Sequence, residues 1–155
     1  MSCLACQCVW GPAKGMINYA QEKFRERIFM ENTTAFIQIT AILSDYFDGI
    51  YEGNTEKLDR VFHPEGKLSC VTDGYLNLLN KTEYLEIVAN REPPERKGSH
   101  RYDKIISINL AGPETALAKV ECAIPPRYFT DLLTFIKLDG NWMIINKTYH
   151  YLEHG

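Results

Sequence analysis

From Phe36 onward, apolar residues recur at spacings of three and four: Phe36, Ile39, Leu43, Tyr46, Phe47 and Ile50. That spacing places them on one face of a helix, and such a face must find a core. Asn32, Thr33 or Thr34 can cap the start with a side-chain oxygen, and Gly53 can end the helix in a left-handed conformation, which predicts a helix over about residues 33 to 52. Asn54 opens a second, short helix through Leu58, Val61 and Phe62, which stops at His63 because Pro64 drives the residue before it out of helical conformation. Lys67 to Val71 and Tyr75 to Leu79 read as a hairpin across Thr72-Asp73-Gly74, a turn suited to positive φ. Asn80 with Glu83 forms a capping box for a third helix, with Tyr84, Leu85 and Val88 on its apolar face and Pro93-Pro94 beyond its end.

After Ser99 the pattern changes to long strands separated by turn residues: Arg101 to Leu110, Thr115 to Ile124, Tyr128 to Leu138 and Asn141 to Leu152. Strands of that length twist strongly, so a four-stranded meander must curl around something, and the three upstream helices are available. The Asp139-Gly140 turn sets Leu138 opposite Asn141. A uniform register then places Lys137, Trp142, Phe135, Ile144, Leu133, Asn146, Asp131, Thr148, Phe129 and His150 on one side of the sheet. Ile136, Met143, Ile145 and Leu132 fall on the other. Both sides are apolar near the turn while the helices cover one, which predicts a homodimer packed through the second face.

A length of 155 residues suits one domain with a sizeable core. A net charge of -3 argues against a general nucleic-acid binder, which needs a basic surface, and no apolar run is long enough to suggest a membrane span. The five cysteines do not suggest a disulfide framework: Cys3, Cys6 and Cys8 crowd the start, while Cys70 and Cys122 sit alone in strand-like segments. This fits a reducing, cytoplasmic compartment. The Cys3-x-x-Cys6-x-Cys8 cluster lacks a fourth ligand at finger-like spacing, so neither a metal nor a cofactor is expected. Residues 1–29 contain the breakers Gly11, Pro12 and Gly15 and precede the first strong helix; they read as a poorly ordered extension to a domain spanning 30–155.

The order helix, helix, hairpin, helix, long meander resembles the nuclear-transport-factor-2-like superfamily. So do Tyr46-Phe47-Asp48-Gly49-Ile50-Tyr51 with Gly53 and Asn54, the run Leu58 to His63 before Pro64, and the closing stretch from Phe129 to His150. That last stretch resembles the branch named putative lumazine-binding. The resemblance implies an α+β, cone-shaped fold, three N-terminal helices packed in a curved, mostly antiparallel sheet that encloses a pocket. Activity does not follow from the fold, because the superfamily includes isomerases, dehydratases, hydrolases and adaptors.

Candidate chemistry then rests on the residues. Asp131 and His150 become diagonal neighbours in the uniform register, an arrangement in which a carboxylate orients an imidazole for proton transfer. Tyr46, Trp142 and Phe129 can wall a pocket, His63 can project to the cone mouth or cap its helix, and Asn146 and Lys147 are polar residues in an apolar strand that must meet a partner, an interface or a pocket. Three function classes stay open. The first is a binding module for a small metabolite, heteroaromatic ones included; the second is a cofactor-free isomerase or dehydratase using Asp131 and His150; the third, weaker, is a protein-interaction adaptor.

Overall fold

The computed structural model describes residues 14–153, with side chains from residue 18 onward; Cys3, Cys6 and Cys8 lie outside the described residues. The first helix, α1 (Lys14–Glu52), runs for 39 residues. It therefore does not begin at 33. The Thr33 and Thr34 hydroxyls donate to the Phe29 and Met30 carbonyls at 2.8 and 2.9 Å, back-bonding inside a continuing helix instead of capping a new one. The preceding segment, rich in Gln, Glu, Lys and Arg, has high helix propensity and carries the ion pairs Lys23–Glu26 and Arg27–Glu31 on its surface. Residues 18–34 are exposed throughout, and burial begins at Ala35. Ile39, Leu43, Tyr46, Phe47 and Ile50 enter the core, whereas Phe36 stays 41% exposed.

Gly53 ends α1 at φ 68°, and Asn54 caps α2 (Thr55–Val61) by accepting from the Lys57 amide at 3.1 Å. The two helices pack closely at Gly49, where an added Cβ would lie 2.6 Å from Leu58 Cγ. Next come β1 (Phe62–Cys70), β2 (Asn77–Asn80) and α3 (Lys81–Asn90). The capping box of α3 is complete: the Glu83 amide donates to Asn80 Oδ1 at 3.0 Å, and the Asn80 amide to Glu83 Oε2 at 2.7 Å. The meander follows as β3 (Asp103–Leu110), β4 (Thr115–Ile124), β5 (Arg127–Leu138) and β6 (Asn141–Glu153).

All six strands join one sheet in the order β2-β1-β6-β5-β4-β3. Every pairing is antiparallel except β1 with β6, which is parallel and brings the N-terminal hairpin beside the last strand of the meander. The hairpin itself is wider than the tight turn predicts. Cys70 pairs with Asn77, leaving residues 71–76 as its connection. That loop is held against the end of β6, because the Tyr151 hydroxyl donates to both Asp73 oxygens at 2.6 and 2.7 Å and Thr72 Oγ1 lies 3.0 Å from His150 Nδ1.

Between β5 and β6 the expected register holds from Leu138↔Asn141 to Phe135↔Ile144 and then shifts, so that Thr134 faces Asn146 and Asp131 faces Tyr149. Ile145 is the extra residue of a β-bulge, and beyond it every β6 side chain lies on the face opposite to that of a uniform ladder. Lys147, Tyr149 and Tyr151 turn inward, and His150 turns outward opposite Thr130. Without the shift the Asp131 carboxylate would be buried with no cation beside it. Three helices on the concave side of a mixed six-stranded sheet form an α+β cone. Among the described residues no helix is long and apolar enough to cross a membrane.

Candidate functional site

Among the described residues the buried charged side chains meet at one point, where α1, β5 and β6 deliver Tyr46, Asp131 and Lys147 to the same place. Asp131 is fully buried and Lys147 is 4% exposed. The Lys147 ammonium donates to the Tyr46 hydroxyl oxygen at 2.6 Å and to Asp131 Oδ2 at 3.0 Å, and the Tyr46 hydroxyl donates to the same carboxylate oxygen at 2.7 Å. Cys122 on β4 adds its thiol to that oxygen at 3.5 Å. Aromatic faces surround the ammonium, with the rings of Tyr149, Tyr46, Phe129 and Tyr84 centred 4.9, 5.3, 5.6 and 6.0 Å from Nζ. A cation there gains both a counter-charge and the negative faces of the rings.

Above Lys147 a cavity of about 460 Å³ opens between α3, the β1–β2 loop and the inner face of the sheet. Phe129, Tyr149, Tyr84 and Leu68 form its walls, Lys147 its polar floor, and Arg91, Asp73, Tyr151 and Arg127 its rim. The volume lies within the range of small-molecule sites, as does the mix of aromatic wall and few polar groups. Arg127 stacks over the Tyr151 ring at 4.6 Å and pairs with Glu153 at 2.8 Å.

Protonation states follow from these contacts. Burial opposes the charge on Lys147, but the Asp131 carboxylate outweighs it and holds the ammonium above its ordinary value, so Lys147 is a fixed cation at neutral pH. Burial, reinforced by Asp131, pushes the Tyr46 hydroxyl and the Cys122 thiol well up, which keeps both protonated and makes Cys122 a poor nucleophile. At the rim, its hydrogen bond to Asp73 pushes Tyr151 up to about 12. The site thus offers an anchored positive charge in an aromatic enclosure. Among the described residues no group of His, Cys, Asp and Glu is arranged to hold a metal ion.

The residues singled out from sequence separate accordingly. Tyr46 and Asp131 meet directly and share Lys147, but they lie behind the cavity lining, so Tyr46 is not a pocket wall; Phe129 does line the cavity. Trp142 is buried in the core beyond the cavity lining. His150 does not meet Asp131, since the bulge puts them on opposite faces and leaves His150 exposed beside Thr72. For the same reason Asn146 faces outward and donates to Thr148 Oγ1 at 3.1 Å. His63 falls at the start of β1, where its Nδ1 accepts from the Glu65 amide at 3.1 Å, away from the cavity; it is a strand residue and does not cap α2. The organising residue, Lys147, carried one signal in the sequence, a lysine within an otherwise apolar strand. Tyr84 read only as part of the apolar face of the third helix.

Fold and centre together define an α+β protein of the nuclear-transport-factor-2-like superfamily with a cavity of small-molecule size. More narrowly, a model of the family described as "Putative lumazine-binding" matches residues 34–150, and the chain belongs to that family. It is 26% identical over 110 residues to a protein named Aldolase FrzH from Cladobotryum sp, a match spanning 68% of this chain and 82% of that one. Among solved structures it is similar to an NTF2-like protein of unknown function from Shewanella baltica OS155, with a TM-score of 0.72, 21% identity and coverage of 79% of this chain and 97% of the other. A second such protein, from Silicibacter pomeroyi DSS-3, gives a TM-score of 0.70 at 21% identity over 78% and 98%. At that identity the solved structures speak to the fold alone.

Proposed function

We propose that the cavity binds a small, planar, bicyclic organic molecule, with an oxygen acceptor on the Lys147 ammonium and its ring faces against Phe129, Tyr149 and Tyr84. The observation that carries this reading is a buried ammonium set at the floor of an aromatic-walled cavity. Two of its three N–H donors go to Asp131 and Tyr46, which leaves one for a ligand oxygen. A charge-assisted hydrogen bond in a site this dry is stronger than a neutral one. Lumazine, named in the description of the family, has the required shape and carbonyl oxygens. Calorimetric titration with lumazine is expected to give one-to-one binding that weakens at least about fivefold in Phe129→Ala, since removing a stacked ring costs roughly 1 to 3 kcal/mol. No binding at millimolar lumazine, or binding indifferent to Phe129→Ala, would remove the reading.

The relative named as an aldolase supports a second reading, in which chemistry follows binding. Cleaving the bond between the α and β carbons of a β-hydroxy carbonyl compound turns the β-hydroxyl, with loss of its proton, into a second carbonyl and develops charge on an enolate oxygen, which a preorganised cation is suited to stabilise. Lys147 would act there as that cation. Its ion pair with Asp131 speaks against the free amine that a Schiff base requires. A proton-transfer isomerase or dehydratase built on Asp131 and His150 loses its support with the register shift.

The adaptor reading and the homodimer both draw on the outer sheet face, where Leu132, Ile136, Met143 and Ile145 all remain at least partly exposed. A homodimer through this face should sediment as such at micromolar concentration, and a monomer would exclude it.

A further inference from the structure

Among the described residues Arg91 is the rim cation that no carboxylate pairs with. It follows the last turn of α3, where its amide closes the helix onto the Ile87 carbonyl at 3.2 Å. Its guanidinium donates through Nη2 to the Ile50 carbonyl near the end of α1, at 3.1 Å. Its Nε is buried without a hydrogen-bond partner among the described residues. No carboxylate pairs with it among those residues, although Lys147 has Asp131, Arg127 has Glu153, and Asp73 receives the Tyr151 hydroxyl. The cavity is lined by three cations, Arg91, Arg127 and Lys147, against one carboxylate, Asp73. A guanidinium that lines a largely aromatic cavity with no carboxylate beside it is costly unless the occupant of the cavity supplies a counter-charge. Its planar fork matches a carboxylate better than any other common organic group.

We infer that the ligand of this cavity is an organic acid, a bicyclic heteroaromatic carboxylate whose acid group pairs with Arg91. This deepens the reading of the cavity as a small-molecule site and rests on it. The ring system occupies the space between Phe129, Tyr149 and Tyr84, an oxygen or ring nitrogen accepts from Lys147, and the carboxylate reaches the α3 side of the rim. Arg91 then selects for charge, while the aromatic walls select for shape.

Quinoxaline-2-carboxylate and quinoxaline-2-carboxamide are nearly isosteric and differ in charge, so the pair isolates this residue. Calorimetry on the wild-type chain is expected to show the carboxylate binding at least about tenfold tighter than the amide, the scale of a hydrogen bond to a charged group. Arg91→Gln removes the charge and keeps an amide donor near the position of Nε, although it is too short to reach the Ile50 carbonyl. It should abolish the preference by weakening the carboxylate at least about tenfold more than the amide, and Arg91→Lys should restore part of it. Equal binding of the two compounds to the wild type, or a preference that survives Arg91→Gln, would overturn the inference while leaving the cavity reading intact. Binding of neither compound, or binding undiminished when Leu79→Trp fills the cavity, would instead overturn both.

Discussion

Asp131→Leu is expected to destabilise the protein by about 3 to 5 kcal/mol, because it leaves the Lys147 ammonium, 4% exposed, with no counter-charge. In a domain of this size that is a fall of roughly 6 to 20 °C in melting temperature, and urea unfolding should show a lower midpoint at an unchanged slope. The loss belongs to the stranded charge and not to the missing side chain, so a second substitution should reverse it. Adding Lys147→Met removes the cation, and a pair of apolar residues in place of a buried ion pair is commonly neutral or stabilising. Tyr46 would still lack an acceptor for its hydroxyl, a cost of about 1 to 3 kcal/mol that Tyr46→Phe should remove. The triple variant is therefore expected to regain wild-type stability and to bind no ligand. That separation of stability from binding would mark the polar centre as retained for the ligand's sake. A single Asp131→Leu variant less than about 1 kcal/mol below wild type would instead mean that the ammonium finds water or another partner and that Asp131 is not its necessary counter-charge.

Phe62→Ala is expected to cost about 3 to 5 kcal/mol as well, through a cavity and not through a charge. Phe62 is 1% exposed and stands between two residues of the site, with its ring 6.1 Å from Tyr46 and edge-on to Tyr84 at 5.6 Å. It is also the first residue of β1, paired with Ile144 where the parallel contact with β6 begins. Deleting the ring removes support from the cavity wall at Tyr84 and from Tyr46, which holds the Lys147 ammonium in place. Ligand affinity should therefore fall along with stability, and Phe62→Leu should recover much of both. The two quantities can be read from urea midpoints and from titration. An alanine variant that loses under about 1 kcal/mol would show that the surrounding helices collapse into the space.

The elements that were legible in the sequence are those whose causes are local. The apolar period of Ile39, Leu43, Tyr46, Phe47 and Ile50, the capping box of Asn80 and Glu83, the left-handed Gly53 and the Asp139-Gly140 turn each act over four or five residues, and each marks the structure where the spacing puts it. The strands of the meander were legible for the same reason, and so was the register of its last hairpin for the four pairs nearest the turn. The start of α1 shows a limit even at short range. Thr33 and Thr34 carry cap chemistry, but the helix propensity of the residues before them outweighs it, and their hydroxyls bond back into the helix.

The site was decided at longer range. One extra residue at Ile145 reverses every side chain after it, which removes His150 from Asp131 and installs Lys147 in its place. A bulge has no local signature in that stretch; it is favoured because a buried carboxylate on one strand needs a cation from the next. The parallel pairing of β1 with β6 joins segments about eighty residues apart, and it brings the α3 side of the cavity, with Tyr84 and Arg91, over the floor formed by Lys147. Periodicity and turn chemistry determine which residues form helices and strands and which of their faces are apolar. Which polar side chains meet inside depends on burial and charge compensation among residues distant in the chain, and these act only once the sheet has closed around the helices.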